Sequence, residues 1–252
     1  MHNKIALITG GSRGLGRDAA LKLAARGVDL IITYQQQAAA ADAVVADAIA
    51  LGVRAVALQL DAGNSAGFTD FAARVQDALH THWQREHFDY LLNNAGGGLH
   101  ASVAETSEAQ FDELVSVHLK GVFFLTQKLL PLIADGGRIL NVSSGLARFS
   151  LPGSSAYAMM KGGIEVFTRY LAVELGPRRI AANVIAPGAI ATDFRGGAVR
   201  DNPQINAMIA GQTALGRVGQ PDDIGKVMAF LLSDEAGWLN GQRVEASGGI
   251  HL

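Results

Sequence analysis

Short, almost wholly apolar runs alternate with longer helical patterns along the chain, and this alternation restricts the possible folds more than any other feature. The runs predicted as strands are residues 5–9, 30–33, 55–60, 90–92, 138–142, 182–185 and a weaker run at 243–245. The helical patterns between them cover residues 15–25, 38–51, 65–79, 107–132, 155–175 and 222–232. Continuously apolar strands are covered on both faces, and repeated strand–helix–strand units pair in parallel. We therefore expect an α/β protein, a doubly wound parallel sheet with helices on both faces.

The chain shows no boundary between domains. It has 252 residues, 49% of them hydrophobic and 17% charged, which is enough to bury a large core. Because no Pro/Ser-rich linker divides it, we predict a single domain over residues 1–252. The least regular stretch, residues 188–219, is long for a connection and is predicted to be a lid over a substrate.

Composition and charge exclude several classes of protein. The absence of cysteine rules out disulfides, thiolate zinc sites and iron–sulfur clusters. A net charge of −2 lacks the basic footprint of a sequence-independent nucleic-acid binder. No apolar run is long enough to span a bilayer, and the first residues do not resemble a signal peptide. We expect a cytoplasmic protein with no nucleic-acid partner, no membrane association and a small-molecule substrate.

A glycine-rich turn follows the first predicted strand and opens the first predicted helix. Gly10, Gly14 and Gly16 have the spacing Gly-x-x-x-Gly-x-Gly. Such a turn lets backbone N–H groups approach a pyrophosphate at the positive end of a helix. A merely flexible turn is the alternative, but the position between strand and helix favours a dinucleotide site.

Five motifs in this order along the chain resemble those of the short-chain dehydrogenase/reductases. They lie at residues 9–16 (the glycine turn), 93–96 (Asn-Asn-Ala-Gly), 141–145 (Asn-Val-Ser-Ser-Gly), 157–161 (Tyr-x-x-x-Lys) and 187–188 (Pro-Gly). The general type is that of the 3-oxoacyl-carrier-protein reductases and related ketoreductases. The resemblance implies a Rossmann-type fold and reduction of a ketone or aldehyde to an alcohol by hydride transfer.

Two positions favour NADP(H) over NAD(H). The second strand ends in Thr33 and Tyr34 without the acidic residue that would accept the ribose 2′-hydroxyl of NAD. Arg13, in the glycine turn, stands where NADP-dependent members of the family often carry a basic residue; a solvated loop arginine is the alternative. Asp61 resembles the family's acid that contacts adenine. The alternative is an aspartate at the N-terminus of the next helix with no cofactor contact. The resemblance implies that the cofactor is bound by Gly10, Ser12, Arg13, Gly14, Leu15, Gly16, Tyr34, Asp61, Asn94, Ala95, Gly96, Tyr157, Lys161, Pro187, Gly188, Ile190 and Thr192.

Tyr157 and Lys161 form the predicted catalytic pair. They are four residues apart and therefore share one face of a helix. A nearby ammonium favours a phenolate, so we expect Lys161 to lower the pKa of Tyr157. The resemblance makes Tyr157 the general acid in reduction. It also implies that Ser144, rather than Ser143, holds the substrate carbonyl.

His118 departs from the family pattern. It lies on the apolar stripe of the predicted helix at residues 107–132, where the family usually has an asparagine that helps to hold a relay water beside the lysine. An imidazole can both donate and accept, so His118 is a candidate fourth catalytic residue. A histidine buried in the core is the alternative.

The remaining histidines give weaker signals. His80, His82 and His87 cluster before the fourth strand, but a solvated helix end is favoured over a metal site, and no metal is expected. His100 could line the substrate cleft or be an ordinary loop residue.

We expect an NADP-dependent carbonyl reductase. An NAD-linked alcohol dehydrogenase and a dinucleotide-binding regulator without turnover are the alternatives. The family is commonly tetrameric, and Gly162, Val166 and Tyr170 form a small, apolar side on the helix at residues 155–175, away from its catalytic stripe. Such a face fits a two-fold helix–helix contact, so we predict a homotetramer.

Overall fold

The computed structural model describes residues 3–252 and contains a sheet of seven parallel strands. Their bounds are β1 Ile5–Ile8, β2 Asp29–Tyr34, β3 Ala55–Gln59, β4 Phe88–Asn93, β5 Ile133–Val142, β6 Ala181–Pro187 and β7 Arg243–Ala246. The order across the sheet is β3-β2-β1-β4-β5-β6-β7. The strand order therefore reverses between β1 and β4. This switch point is where open α/β sheets bind ligands. The predicted fold class is confirmed.

Helices cover both faces of the sheet. Their bounds are α1 Gly14–Ala24, α2 Ala38–Ala50, α3 Phe68–Trp83, α4 Glu108–Val115, α5 Val122–Leu129, α6 Ser155–Glu174, α7 Ala198–Asp201, α8 Pro203–Gly211 and α9 Pro221–Leu231. One apolar core joins α1, α2 and α9 to the sheet, and the other joins α3, α5 and α6 to its opposite face. Strands between two such cores are buried on both sides, which explains their continuous apolar runs. No helix in residues 3–252 is long and apolar enough to cross a membrane.

The helix predicted at residues 107–132 is interrupted. Regular α4 gives way to a π-helical segment at Ser116–Gly121 before α5 begins, and a short 3₁₀ turn follows α5. At Gly121 a Cβ atom would lie 2.2 Å from the carbonyl oxygen of Ala62, so the helix rests directly on the loop after β3. A π-helical turn adds a residue to the helical repeat, and such turns are common at functional sites. Here it contains His118.

The predicted lid is more ordered than its sequence indicates. Residues 188–219 contain α7 and α8, and the Asn202 side chain caps α8 by accepting the backbone N–H groups of Gln204 and Ile205. Ile190 and Gly219 pair across the base of the segment. Its two ends are therefore held together beside the carboxyl end of β6.

Candidate active site

The glycine turn leaves a backbone cradle that side chains would fill. Gly10 and Gly14 have φ angles of 65° and 55°, in the left-handed region that favours glycine. At Gly16 a Cβ atom would lie 2.2 Å from the carbonyl oxygen of Gly10. The chain thus folds tightly on itself at the amino end of α1, as a pyrophosphate site requires.

Asn94 holds this turn from the neighbouring strand. Its side-chain amide donates to the carbonyl oxygens of Thr9 (3.0 Å) and Gly10 (3.1 Å). The backbone N–H groups of Asn94 and Ala95 both donate to the Thr9 hydroxyl, at 2.9 and 3.0 Å. These bonds join the ends of β1 and β4, so Asn94 shapes the cradle through Thr9 and Gly10.

The end of β2 and a neighbouring cavity form the far end of the cleft. A cavity of about 370 Å³ lies beyond the ends of β2 and β3, and Gln36 and Asp61 are among its lining residues. Arg13 is exposed at the N-cap position of α1, and Tyr34 is partly buried at the end of β2. The acid of β2, Asp29, lies at the opposite end of that strand, where it accepts the Trp83 indole N–H at 2.8 Å. No carboxylate of β2 therefore lies where it would repel the 2′-phosphate of NADP(H).

The segment after β6 approaches the glycine turn from the other side. A Cβ atom on Gly188 would lie 2.9 Å from Cα of Ser247, so this stretch runs tightly against the chain after β7. A Cβ atom on Gly14 would lie 3.9 Å from Cβ of Thr192. Thr192 and the turn thus form two walls of one cleft, and the residues present fit a bound NADP(H).

Tyr157 and Lys161 lie on the buried face of α6. The Lys161 ammonium donates to the carbonyl oxygen of Val142 at 2.8 Å, and its nitrogen lies 5.5 Å from the centroid of the Tyr157 ring. Burial lowers the pKa of Lys161 to about 7. Burial also raises the pKa of Tyr157 well above its usual value, against the charge of Arg195 and a contact with the Ser144 hydroxyl. Arg195 and Ser144, not Lys161, are the groups that favour the phenolate, and desolvation outweighs both of them.

The two serines after β5 have different partners. Ser143 is buried, and its hydroxyl donates to Glu165 at 2.7 Å and lies 3.3 Å from the carbonyl oxygen of Lys161. Ser144 caps the next short helical turn by accepting the N–H of Leu146 at 3.2 Å, and it contacts Tyr157. Ser144 is therefore the serine placed beside Tyr157.

The imidazole of His118 lies edge-on to Tyr157, with ring centroids 5.4 Å apart. Its Nε2 is 2.8 Å from the carbonyl oxygen of Gly97, which can only accept, so Nε2 carries the proton and Nδ1 is an acceptor. Nδ1 is buried without a hydrogen-bond partner among residues 3–252. Burial, with the nearby charge of Lys161, lowers the pKa of His118 to about 3.

The close approach of His118 depends on the glycines after β4. A Cβ atom on Gly96 would lie 2.4 Å from Cε1 of His118. His118 is thus a neutral acceptor that faces the Tyr157–Lys161 pair. It stays neutral through the ordinary histidine range of pH, so its protonation does not switch the site near neutrality.

Two lid residues that the motifs do not mark enter the site. The Phe194 ring lies 5.8 Å from that of Tyr157, and the Arg195 guanidinium lies 5.6 Å from the same ring. Phe194 had only a weak sequence signal, an aromatic residue in the predicted lid. Arg195 had none, since its neighbours in space are distant in sequence.

His80, His82 and His100 lie outside the cluster of Tyr157, Lys161 and His118. His80 and His82 are in the last turn of α3. His100 is exposed and packs on Gly153, where a Cβ atom would lie 2.4 Å from Cε1 of the imidazole. Among the described residues no group of three or more His, Asp or Glu side chains could hold a metal ion.

Comparisons with known proteins agree with this geometry. A family model described as enoyl-(acyl carrier protein) reductase matches residues 10–251. A tetrahydroxynaphthalene reductase of Pestalotiopsis fici is 39% identical over 257 residues, which cover 98% of this chain and 91% of the relative.

Two solved structures superpose closely. The promiscuous reductase LugOII, which catalyses keto-reduction at C1 during lugdunomycin biosynthesis, is 36% identical, with a TM-score of 0.93 over 99% of this chain and 98% of its own. The angucycline C-6 ketoreductase LanV with bound NADP is 34% identical, with a TM-score of 0.93 over 98% and 95% of the two chains. With the motifs in order on the matching fold, the chain belongs to the short-chain dehydrogenase/reductase family.

Proposed function

We propose that this protein is a cytoplasmic, NADPH-dependent reductase that converts an aromatic ketone to a secondary alcohol. The arrangement of Tyr157, Lys161 and Ser144 at one end of a dinucleotide cleft carries this proposal. Related proteins with the same fold are named as ketoreductases, and one of them is solved with NADP.

In this mechanism the side chains orient and protonate the substrate. NADPH, when bound along the glycine turn and the 187–192 segment, supplies the hydride. The Ser144 hydroxyl donates a hydrogen bond to the carbonyl oxygen and stabilises the negative charge that develops there. Tyr157 gives its phenolic proton to that oxygen, and its high pKa keeps it protonated and ready to donate at neutral pH. Lys161, anchored on the carbonyl of Val142, faces the phenolate that remains.

His118 completes the proton path in this proposal. After Tyr157 has donated its proton, the buried site must be reprotonated from solvent. The Nδ1 acceptor of His118 has no hydrogen-bond partner in residues 3–252, and its ring packs against Tyr157, so it can hold a water that links Lys161 to solvent. The family asparagine is expected to do this through an amide.

An apolar cavity beside the site favours a bulky aromatic substrate. It measures about 550 Å³, and Leu146, Leu151 and Ser154 are among its lining residues. Phe194 covers Tyr157 from the lid. The relative from Pestalotiopsis fici is named for tetrahydroxynaphthalene, a fused aromatic ring system, which supports the same class of substrate here.

A ketone panel tests this function. Purified protein is mixed with 1-tetralone, 2-tetralone, an acetoacetyl thioester and a crotonyl thioester, each with NADPH or NADH, and the nicotinamide absorbance is followed. We expect the tetralones to be reduced fastest and with NADPH, and Tyr157→Phe is the control, in which turnover should fall about 100-fold or more. Preferred reduction of the crotonyl thioester would indicate an enoyl reductase instead. Alcohol oxidation with NAD alone, or binding without turnover, would support the two alternatives.

We also propose a homotetramer. On α6 the side chains of Val166, Tyr170 and Val173 are 46%, 64% and 78% exposed, on the side away from Tyr157 and Lys161. Contiguous apolar surface of this kind is typical of an interface. Light scattering should give the mass of four chains, and Val166→Glu should lower it; a monomeric wild type at micromolar concentration would contradict the proposal.

A further inference from the structure

Arg195 places a positive charge next to the proton donor. Its guanidinium carbon lies 5.6 Å from the centroid of the Tyr157 ring and 5.8 Å from that of Phe194. One terminal nitrogen donates to the carbonyl oxygen of Leu99 at 2.7 Å, and both terminal nitrogens approach the Ser154 hydroxyl, at 3.3 and 3.4 Å. The cation therefore bridges the lid, the loop after β4 and the start of α6.

This cation has no anionic partner in the described part of the chain. Arg200, in the same lid, pairs with both Asp193 and Asp201, whereas Arg195 contacts only neutral oxygens. Its Nε is buried without a hydrogen-bond partner in residues 3–252, and burial lowers its pKa. A guanidinium has five N–H donors, and these contacts use three of them, so one on a terminal nitrogen and the buried Nε–H remain without a partner in residues 3–252. Half-buried charges are costly unless they are paired, which points to an electron-rich oxygen that arrives with the substrate.

The local backbone is built to bring Arg195 inward. Its φ angle is 51°, a left-handed conformation that is strained for a residue other than glycine. Opposite it, a Cβ atom on Gly98 would lie 2.9 Å from Cγ of Arg195 and 2.5 Å from Cζ of Phe194. A glycine in the facing loop and the left-handed backbone at Arg195 thus allow Phe194 and Arg195 to enter the site together.

We propose that Arg195 determines substrate specificity by binding an acidic hydroxyl, a phenol or an enol, that lies next to the carbonyl being reduced. The inference rests on the proposed function, because it assumes that the carbonyl oxygen lies at Ser144 and Tyr157. The neighbouring group must be close to that carbonyl, since the guanidinium lies over the Tyr157 ring itself. Two aromatic rings flank the cation, and bringing a full carboxylate between them costs more desolvation than bringing a hydroxyl that shares its proton.

A matched pair of ketones tests the inference. 1-Tetralone and 8-hydroxy-1-tetralone differ by one hydroxyl beside the carbonyl. With NADPH, Arg195→Met should lower kcat/KM for the hydroxylated ketone on the order of tenfold to a hundredfold, as expected for loss of a hydrogen bond to a charged group. The same variant should lower kcat/KM for 1-tetralone by clearly less, because that ketone loses only the effect of the guanidinium charge on Tyr157 and no hydrogen bond of its own. Arg195→Lys, which keeps the charge, should retain part of the preference.

Arg200→Met is the matched control, since it removes the same charge from the lid at a residue paired with Asp193 and Asp201. It should leave the ratio between the two ketones unchanged. Equal losses on both ketones with Arg195→Met, or no loss on either, would overturn the inference.

If wild type reduces neither ketone, the proposed function fails and binding decides the inference. Calorimetry then measures the dissociation constants of both ketones in the presence of NADP. An equal ratio of these constants in wild type and Arg195→Met would overturn the role of Arg195, and a ratio that falls on substitution would support it.

Discussion

The neutral, buried His118 should make the folded protein sensitive to mild acid. Its pKa is about 3 in the folded protein, because of burial and the charge of Lys161, whereas the ordinary pKa of a histidine is about 6.5. Below pH 6.5, His118 therefore binds a proton in the unfolded chain but stays neutral in the folded protein. The stability associated with neutral His118 is complete above pH 6.5 and is lost as the pH falls toward 3. Integrated from pH 7 to pH 5, the loss is about 2 kcal/mol.

The assay compares the free energy of unfolding by urea at pH 7 and pH 5 for wild type and His118→Asn, at one protein concentration. Groups other than His118 titrate in both proteins and cancel in the double difference. We expect wild type to lose about 2 kcal/mol more than the variant between the two pH values. His100→Asn, at an exposed histidine, is the control and should retain the wild-type response. Parallel losses in wild type and His118→Asn would refute the reasoning that His118 is held neutral by burial.

Three further outcomes follow from the site. Tyr157→Phe keeps the ring but removes the proton, so turnover should fall about 100-fold or more while NADPH still binds, as fluorescence titration can show; near-normal turnover would require another proton source. Arg13→Ala should raise KM for NADPH and leave KM for NADH nearly unchanged, and equal effects on both cofactors would remove Arg13 from phosphate recognition. His118→Leu should keep its fold by circular dichroism but lose turnover, whereas His118→Asn should keep most of its activity; a fully active Leu variant would make His118 a core residue only.

Local patterns in the sequence determine the fold class and much of the cofactor cleft. Apolar runs and helical spacing reflect burial directly, so the strands lie near their predicted positions. The order of the strands in the sheet brings Thr9 and Asn94 together. The Tyr157–Lys161 pair is equally local, because four residues make about one helical turn.

Only the tertiary structure decides how distant segments meet around Tyr157. The π-helical turn at His118 forms because α4 and α5 must pass over the loop after β3, and helical periodicity alone does not register that contact. The path of the lid, and hence the place of Arg195, depends on a strained backbone and on space left by Gly98 in another loop. Sequence patterns encode which residues are buried on regular elements. The position of a loop side chain depends on long-range packing, and for that reason the charge of Arg195 beside Tyr157 could be found only in three dimensions.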